Sequence, residues 1–205
     1  MVKRTTAGII LAAGESRRFG EPKQLTKLNH KCLLEWVVDA ALASDLETVV
    51  LILGFEHQKI LQRLGDKKRS DKFQVAINPR FRDGQGSSVA LGVSMIADTY
   101  AAVMFLLGDQ PMVEPATINH LLDCFRPSGK NICVPVNRRK RGNPTIFSNL
   151  FYDQLLAIEG DIGGRKIIES HPDQILEVEI ENSLTFFDVD TPQDLKKLNS
   201  LLTEH

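Results

Sequence analysis

The chain is poor in cysteine, in long apolar runs and in net charge, and each shortage excludes something. Its three cysteines (Cys32, Cys124 and Cys133) fall at irregular spacing with no Cys-x-x-Cys pair. That argues against a disulfide framework or a structural zinc site and leaves reduced, partly buried thiols. No apolar run approaches the roughly 20 residues that a membrane helix needs. Lys3 and Arg4 ahead of an apolar 7–13 weakly mimic a secretion signal. The run is short, however, and cleavage near Ala13 would discard the first strand and its loop. A cytoplasmic protein is the expectation. Twenty-five basic side chains against 26 acidic ones leave a formal charge of −1. Nothing in that balance draws the whole molecule to nucleic acid or to an anionic membrane. Any anion binding is therefore local. Repeats and low-complexity segments are also absent.

What is present is an ordinary globular composition, with 42% hydrophobic and 25% charged residues over 205 positions. One compact α/β domain spanning 1–205 is expected. Apolar runs predict strands over 7–12, 48–53, 73–77, 102–107, 132–136, 145–147, 175–180 and 186–189. Between them, helical spacing predicts helices over 33–42, 56–64, 86–97, 115–125, 148–157, 164–170 and 192–202, with Asn29 as a cap for the first. This alternation implies a mostly parallel, Rossmann-like sheet with helices on both faces. Ligands of such sheets sit beyond the carboxyl ends of the strands.

The first strand ends at Gly14, and Ser16, Arg17, Arg18, Gly20 and Lys23 follow within ten residues. Glycine lets backbone approach a ligand, and Arg and Lys neutralise phosphate oxygens. An ordinary solvated loop is the bland alternative, but glycine, hydroxyl and cations coincide directly after a strand. It is not a Walker loop, because Gly20 is followed by Glu21-Pro22-Lys23, and it lacks the three glycines of a dinucleotide fingerprint.

Other strand ends carry comparable groups. After the third come Gly84-Gln85-Gly86-Ser87-Ser88, where the serines would cap a helix whose amides face the ligand. A plain N-cap would explain the serines alone. The fourth strand ends in Gly108-Asp109-Gln110-Pro111, and residues 187–190 end in Asp188 and Asp190 before Thr191-Pro192. A carboxylate at the end of a buried strand needs a cation or turn donors. Magnesium, which binds through one or two carboxylates plus phosphate oxygens, fits a pair of them. Asp109 as a turn residue, and Asp190 or Thr191 as a helix cap, are the structural alternatives. Two later loops, 138–144 with four cations before Asn143-Pro144 and 160–165 (Gly160-Asp161-Ile162-Gly163-Gly164-Arg165), look like an acceptor side. Either could equally be a solvated surface.

Leu11, Ala12, Ala13, Gly14, Ser16, Arg18, Gly20 and Lys23, with Phe19 in place of the usual Met, resemble the signature of the MobA-like nucleotidyltransferases. The Ala-Ala-Gly form and the 160–165 loop resemble the cytidylyltransferase branch that matures molybdopterin, though Asn143 stands where that family has Gly-His-Pro. The resemblance implies a nucleotide-diphospho-sugar transferase-like architecture. It implies transfer of CMP from CTP to a phosphorylated acceptor, molybdopterin, with Mg²⁺ as cofactor and pyrophosphate released. The product would serve a molybdenum hydroxylase such as xanthine dehydrogenase. By the same resemblance Arg18, Lys23 and Asp109 are catalytic. Leu11, Ala12, Ala13, Gly14, Arg18, Lys23, Gly84, Ser87, Ser88 and Asp109 hold the nucleotide. Asn143, Asp161, Gly164 and Arg165 hold the acceptor, and Asp109 and Asp190 the metal. Such chemistry needs no side-chain nucleophile, and all five histidines lie outside the motifs. A cytidylyltransferase for a sugar or isoprenoid phosphate is the second enzyme reading. A non-catalytic cofactor chaperone is the alternative from another class.

Overall fold

The computed structural model describes residues 5–16, 19, 22–65, 70–161 and 163–203. In chain order, β1 (Thr6–Ala12) is followed by a hairpin of β2 (Lys27–Leu28) and β3 (Lys31–Cys32), then α1 (Leu33–Leu42), β4 (Thr48–Leu53), α2 (His57–Leu64) and β5 (Phe73–Ile77). Next come α3 (Gln85–Ser94), β6 (Ala102–Leu107), α4 (Pro115–Phe125), β7 (Ile132–Asn137), β8 (Lys140–Arg141) and β9 (Thr145–Ser148). The chain closes with α5 (Tyr152–Leu156), α6 (Arg165–Ser170), β10 (Ile175–Glu179) and α7 (Pro192–Thr203).

The sheet runs in the order β10-β7-β9-β6-β1-β4-β5, with β8 added to β7. The ladders β6-β1, β1-β4 and β4-β5 are parallel, as is β10-β7. The exceptions are β9, which runs antiparallel between β6 and β7, and β8, antiparallel to β7. The sheet is thus mostly parallel with helices on both faces, and the period of two along each strand sorts its side chains between two apolar layers. Ile10 and Ala12 of β1, Leu51 and Leu53 of β4 and Met104 and Leu106 of β6 join α1 and α4 in one layer. Ile9, Ile52 and Phe105 join α3 and α5 in the other. Burial on both faces explains why these strands read as unbroken apolar runs. No helix among the described residues is long and apolar enough to cross a membrane.

Three expectations are corrected. Residues 186–189 are not a strand. Ser183–Phe186 is a 3₁₀ turn capped by Asn182, and Phe187 and Val189 pack into a third small cluster with Leu28, Leu33 and Leu198 rather than into the sheet. Asn29 does not cap α1. It sits at φ 57° in the β2-β3 turn, and the cap is Cys32, whose N–H donates to Glu35 at 2.9 Å in a capping box. Part of the 138–141 charge run is a hairpin: Arg138 and Arg139, at φ 48° and 68°, form the two-residue turn between β7 and β8. A left-handed pair of turn residues matches the twist of the flanking strands.

Candidate active site

Three strand ends meet on one rim. Where β1 ends, a single buried amide braces the chain. Gln24, 3% exposed, donates to Ala12 O at 3.2 Å and Gly14 O at 3.4 Å and accepts from Ser16 Oγ at 3.2 Å. One amide therefore holds three points of the 12–16 loop. Its neighbour Lys23 opens a 3₁₀ turn after Pro22 and reaches back to the rim. Lys23 Nζ donates to Asp109 Oδ2 at 2.6 Å and to Asp190 Oδ1 at 2.7 Å.

Asp109 stands just beyond β6, where the Gly108 N–H donates to Leu11 O at 3.0 Å. The Val189 N–H donates to Asp109 O at 3.0 Å and so brings the distant 188–190 segment to the same place. Asp190 is released from capping duty. Thr191 and Asp194 exchange hydrogen bonds of 2.8 and 3.2 Å as the capping box of α7, with Pro192 at its first position. Asp188 accepts from Gln110 Nε2 at 2.8 Å instead of facing Lys23.

The electrostatics follow from this geometry. Burial alone would lower the Lys23 pKa, but the carboxylates of Asp109 and Asp190 outweigh it and hold the ammonium above its ordinary value. Partial desolvation, reinforced by the charge of Asp109, raises the Asp188 carboxyl above its ordinary value. Asp109 Oδ1 is buried and has no hydrogen-bond partner among the described residues.

The β5–α3 connection forms the opposite wall. Asn78, 3% exposed, accepts from the Arg80 N–H and donates to Ser87 Oγ and Ser88 Oγ, all at 2.9 Å. Arg82 reaches across to Glu15 at 2.8 Å and ties this wall to the 12–16 loop. Contrary to the expectation from the sequence, the serines do not cap α3 but lie within its first turn. Gly84 is the N-cap, and the first two amides of the helix are taken by another loop: Gln85 N–H donates to Asp161 Oδ1 at 3.2 Å and Gly86 N–H to Gly160 O at 2.8 Å. Gly84 has φ 98°, and a Cβ there would collide with the Gly160 carbonyl carbon. The glycines at 84 and 86 thus make room for backbone rather than for a phosphate.

Two clefts open along this rim. The first, about 440 Å³, is lined by Leu11, Ala12, Ala13, Gly14, Lys23, Gly84, Ser88 and Asp109, all named from the sequence for the nucleotide. The second, about 370 Å³, is lined by Asn143, Gly164 and Arg165, with Phe105, Val134 and Phe147 as apolar floor and Arg141 beside them. Leu11, Gln85 and Leu107 line both. Two residues sit elsewhere than assigned. Asp161 lines the first cleft rather than the second, because its carboxylate serves α3. Ser87 lines neither. Its hydroxyl is engaged by Asn78, Arg80 O and Gly84 O, on the side of a separate surface hollow. Gly164 stands where the cytidylyltransferase loop has Ala, and a Cβ there would lie 2.9 Å from Phe147 Cζ. Arg18 lies outside the described residues. Sequence reading missed Gln24, Gln85 and the Glu15–Arg82 pair. Only Gln24 left a signal, as an amide directly after the motif lysine.

A mostly parallel sheet whose rim gathers a glycine loop, a lysine, a strand-end carboxylate and a second carboxylate brought to it from before α7 fits the class of nucleotide-handling α/β enzymes that use alignment and charge rather than a side-chain nucleophile. The comparisons make the class specific. The MobA-like NTP transferase domain matches residues 8–175, and the chain belongs to that family. It is 28% identical to the "Probable molybdenum cofactor guanylyltransferase" of Thermococcus sibiricus, over 95% of this chain and 98% of that one. It is also 28% identical to the "Purine catabolism protein PucB" of Bacillus subtilis, over 91% and 92% of the two chains. Among solved structures, Rv0371c of Mycobacterium tuberculosis H37Rv superposes with a TM-score of 0.84 at 26% identity, covering 98% of this chain and all of that one. A manganese complex of Rv0371c gives a TM-score of 0.81 at 24% identity, over 96% and 98% of the chains.

Proposed function

We propose that this nucleotidyltransferase moves a nucleoside monophosphate from a nucleoside triphosphate onto molybdopterin, and that the nucleotide is CTP. The observation that carries the transfer is the Lys23 ammonium, 2.6 and 2.7 Å from Asp109 and Asp190, in a cleft that shares three residues with a second one. The acceptor phosphate oxygen forms a bond to the α-phosphorus, and the bond from that phosphorus to the β-phosphate bridging oxygen breaks. An acceptor phosphomonoester is already anionic, so no general base is needed. The chain's task is to align two anions and offset the charge that gathers on the α-phosphate and the leaving pyrophosphate. Lys23 and Arg18 supply positive charge. Arg141 and Arg165 face the acceptor phosphate.

The acid pair fits a divalent cation, Mg²⁺ in this reading. Both ligands are hard oxygens, and Asp109 Oδ1 is a buried acceptor without a partner among the described residues. No cluster of three acid, His or Cys groups able to hold a metal occurs among the described residues. The remaining coordination positions would therefore belong to triphosphate oxygens and water. Bound there, the ion would supply further neutralisation of phosphate charge. The manganese complex of Rv0371c is in keeping with a divalent ion.

CTP is preferred because Ala12-Ala13-Gly14 carries a methyl where a glycine would leave room for a purine, and Ala13 lines the first cleft. The guanylyltransferase name of the Thermococcus relative favours GTP as the second reading. The purine-catabolism name of the Bacillus relative accords with a molybdenum hydroxylase as the acceptor enzyme. Pyrophosphate release from the four nucleoside triphosphates, with purified molybdenum cofactor as acceptor, decides among these. CTP is expected to be fastest. A faster GTP reaction refutes the base assignment, and no release with any of them refutes the transfer.

A further inference from the structure

Lys23 stands where the metal would stand. One ammonium lies 2.6 Å from an oxygen of Asp109 and 2.7 Å from an oxygen of Asp190, which spends two of its three N–H donors on the pair. A cation bound between those carboxylates would be centred where Nζ now sits. Resting on the metal reading above, we propose that in the free protein the Lys23 ammonium is a placeholder for the divalent cation. Metal alone is kept out, and it enters together with a triphosphate that draws Lys23 off the carboxylates and onto phosphate oxygens.

Three features carry the argument beyond the two distances. The Lys23 side chain is only 16% exposed, so a displaced ammonium must be received by another anion inside the same cleft rather than by bulk water. The stem has a fixed origin, since Pro22 precedes the 3₁₀ turn and Gln24 is pinned to the 12–16 loop. The ammonium can thus swing about its Cα but cannot withdraw with its backbone. And Lys23 leaves the acid pair incompletely satisfied: Asp109 Oδ1 is buried and has no hydrogen-bond partner among the described residues. A purely structural ion pair would have no use for that oxygen, whereas a cation accepting several ligands would.

The swap also orders the reaction. Asp109 and Asp190 would otherwise be two carboxylates facing each other across an empty cleft, and Lys23 relieves their repulsion until a cation of higher charge arrives. A triphosphate brings its own ion and offers Lys23 a new set of oxygens, so it satisfies both halves of the exchange. Free metal satisfies one half only and meets a like charge already in place.

The test is Mn²⁺ binding without nucleotide, read from the electron paramagnetic resonance signal of the unbound ion, on the full chain and on Lys23→Met. The variant should bind Mn²⁺ about tenfold tighter than the wild type, or more, and adding Asp190→Asn to it should abolish the gain. Lys23→Gln, which keeps a donor for one carboxylate, should show the same direction and stands in if Lys23→Met does not fold by circular dichroism. Equal or weaker Mn²⁺ binding by the folded Lys23 variants overturns the placeholder while leaving metal-dependent transfer intact. If no protein in the set binds Mn²⁺, the placeholder and the metal reading both fall.

Discussion

The two clefts share a rim and three lining residues, yet they are built on opposite plans. The first is braced by two buried side-chain amides whose hydrogen bonds are already made. Gln24 and Asn78, each 3% exposed, hold the 12–16 loop and the start of α3 through hydrogen bonds of 2.9 to 3.4 Å. The second has an apolar floor of Phe105, Val134 and Phe147, with cations on long exposed stems. Among the described residues Arg141 and Arg165 are tied only to the surface glutamates Glu177 and Glu169, at 2.8 and 3.5 Å. A ligand of the first cleft meets a loop and a helix start fixed before it arrives, with the Lys23 ammonium as the group that moves. A ligand of the second must order flexible side chains, which costs roughly 0.5–1.5 kcal/mol for each one immobilised. The first cleft should therefore couple binding to stability, and the second should not.

The largest effect expected is at Lys23. Lys23→Ala should lower kcat about a hundredfold or more, the range seen when one preorganised donor to a developing charge is lost. Steady-state pyrophosphate release measures it, and a loss below tenfold would remove Lys23 from the reaction. Next is Gln24→Leu, which removes three hydrogen bonds from a 3% exposed site and leaves Ala12 O without its partner. Stability should fall by about 2 kcal/mol, typical of unpaired buried polar groups. Nucleotide KM should rise while acceptor KM stays put. Thermal unfolding and the two KM values together check this. A stable variant with normal nucleotide KM would break the contrast between the clefts.

Gly84→Ala attacks the first cleft's wall where it packs on the 160–164 loop. Its φ of 98° disfavours any side chain, and the new methyl would press on the Gly160 carbonyl and the Asp161 carboxylate. Strain of this kind costs about 1–3 kcal/mol. Because the 160–164 loop reaches from Asp161 in the first cleft to Gly164 in the second, both KM values should rise together. If only one moves, the loop does not link the clefts.

The parallel half of the sheet was legible because its strands are buried on both faces. The six-residue runs of β4 and β6 have no competing reading. In the other half β7, β9 and β10 were legible as strands too, but β8 and the reversed direction of β9 were not. β8 has two residues and β9 four, too few to show a period or a direction. Phe186-Phe187-Asp188-Val189 has the composition of a strand, but its apolar groups are used on the packing of α7 and β2. Within the site, residues next to a strand end were found, because a parallel sheet gathers those ends on one rim. Roles that depend on a distant partner were misassigned: Asp161 caps a helix that begins 76 residues earlier, and no local pattern reports that. Gln24 was missed, since its function is to bond three backbone and hydroxyl groups that become neighbours after folding.

The smallest effect expected is at Arg165, and it is the most specific to the comparison. Arg165 begins α6, its side chain is 84% exposed, and its one ion pair among the described residues, to Glu169 a turn later, spans 3.5 Å. An exposed pair of this kind contributes little, because water screens the attraction and ordering two long side chains offsets the rest. Arg165→Ala should therefore leave unfolding stability unchanged within about 0.5 kcal/mol. If the second cleft receives a phosphorylated acceptor, losing this cation should raise acceptor KM by about threefold to tenfold at saturating nucleotide, the scale of one partly hydrated charge contact. Nucleotide KM and kcat should stay where they are, since Arg165 touches neither the 12–16 loop nor Lys23. Arg141→Ala should act in the same direction, though its tighter contact to Glu177 means that part of its charge is already engaged. A rise in nucleotide KM equal to that of the acceptor would show that the two clefts act as one site, and the division between a prebuilt and an adaptable half would not hold.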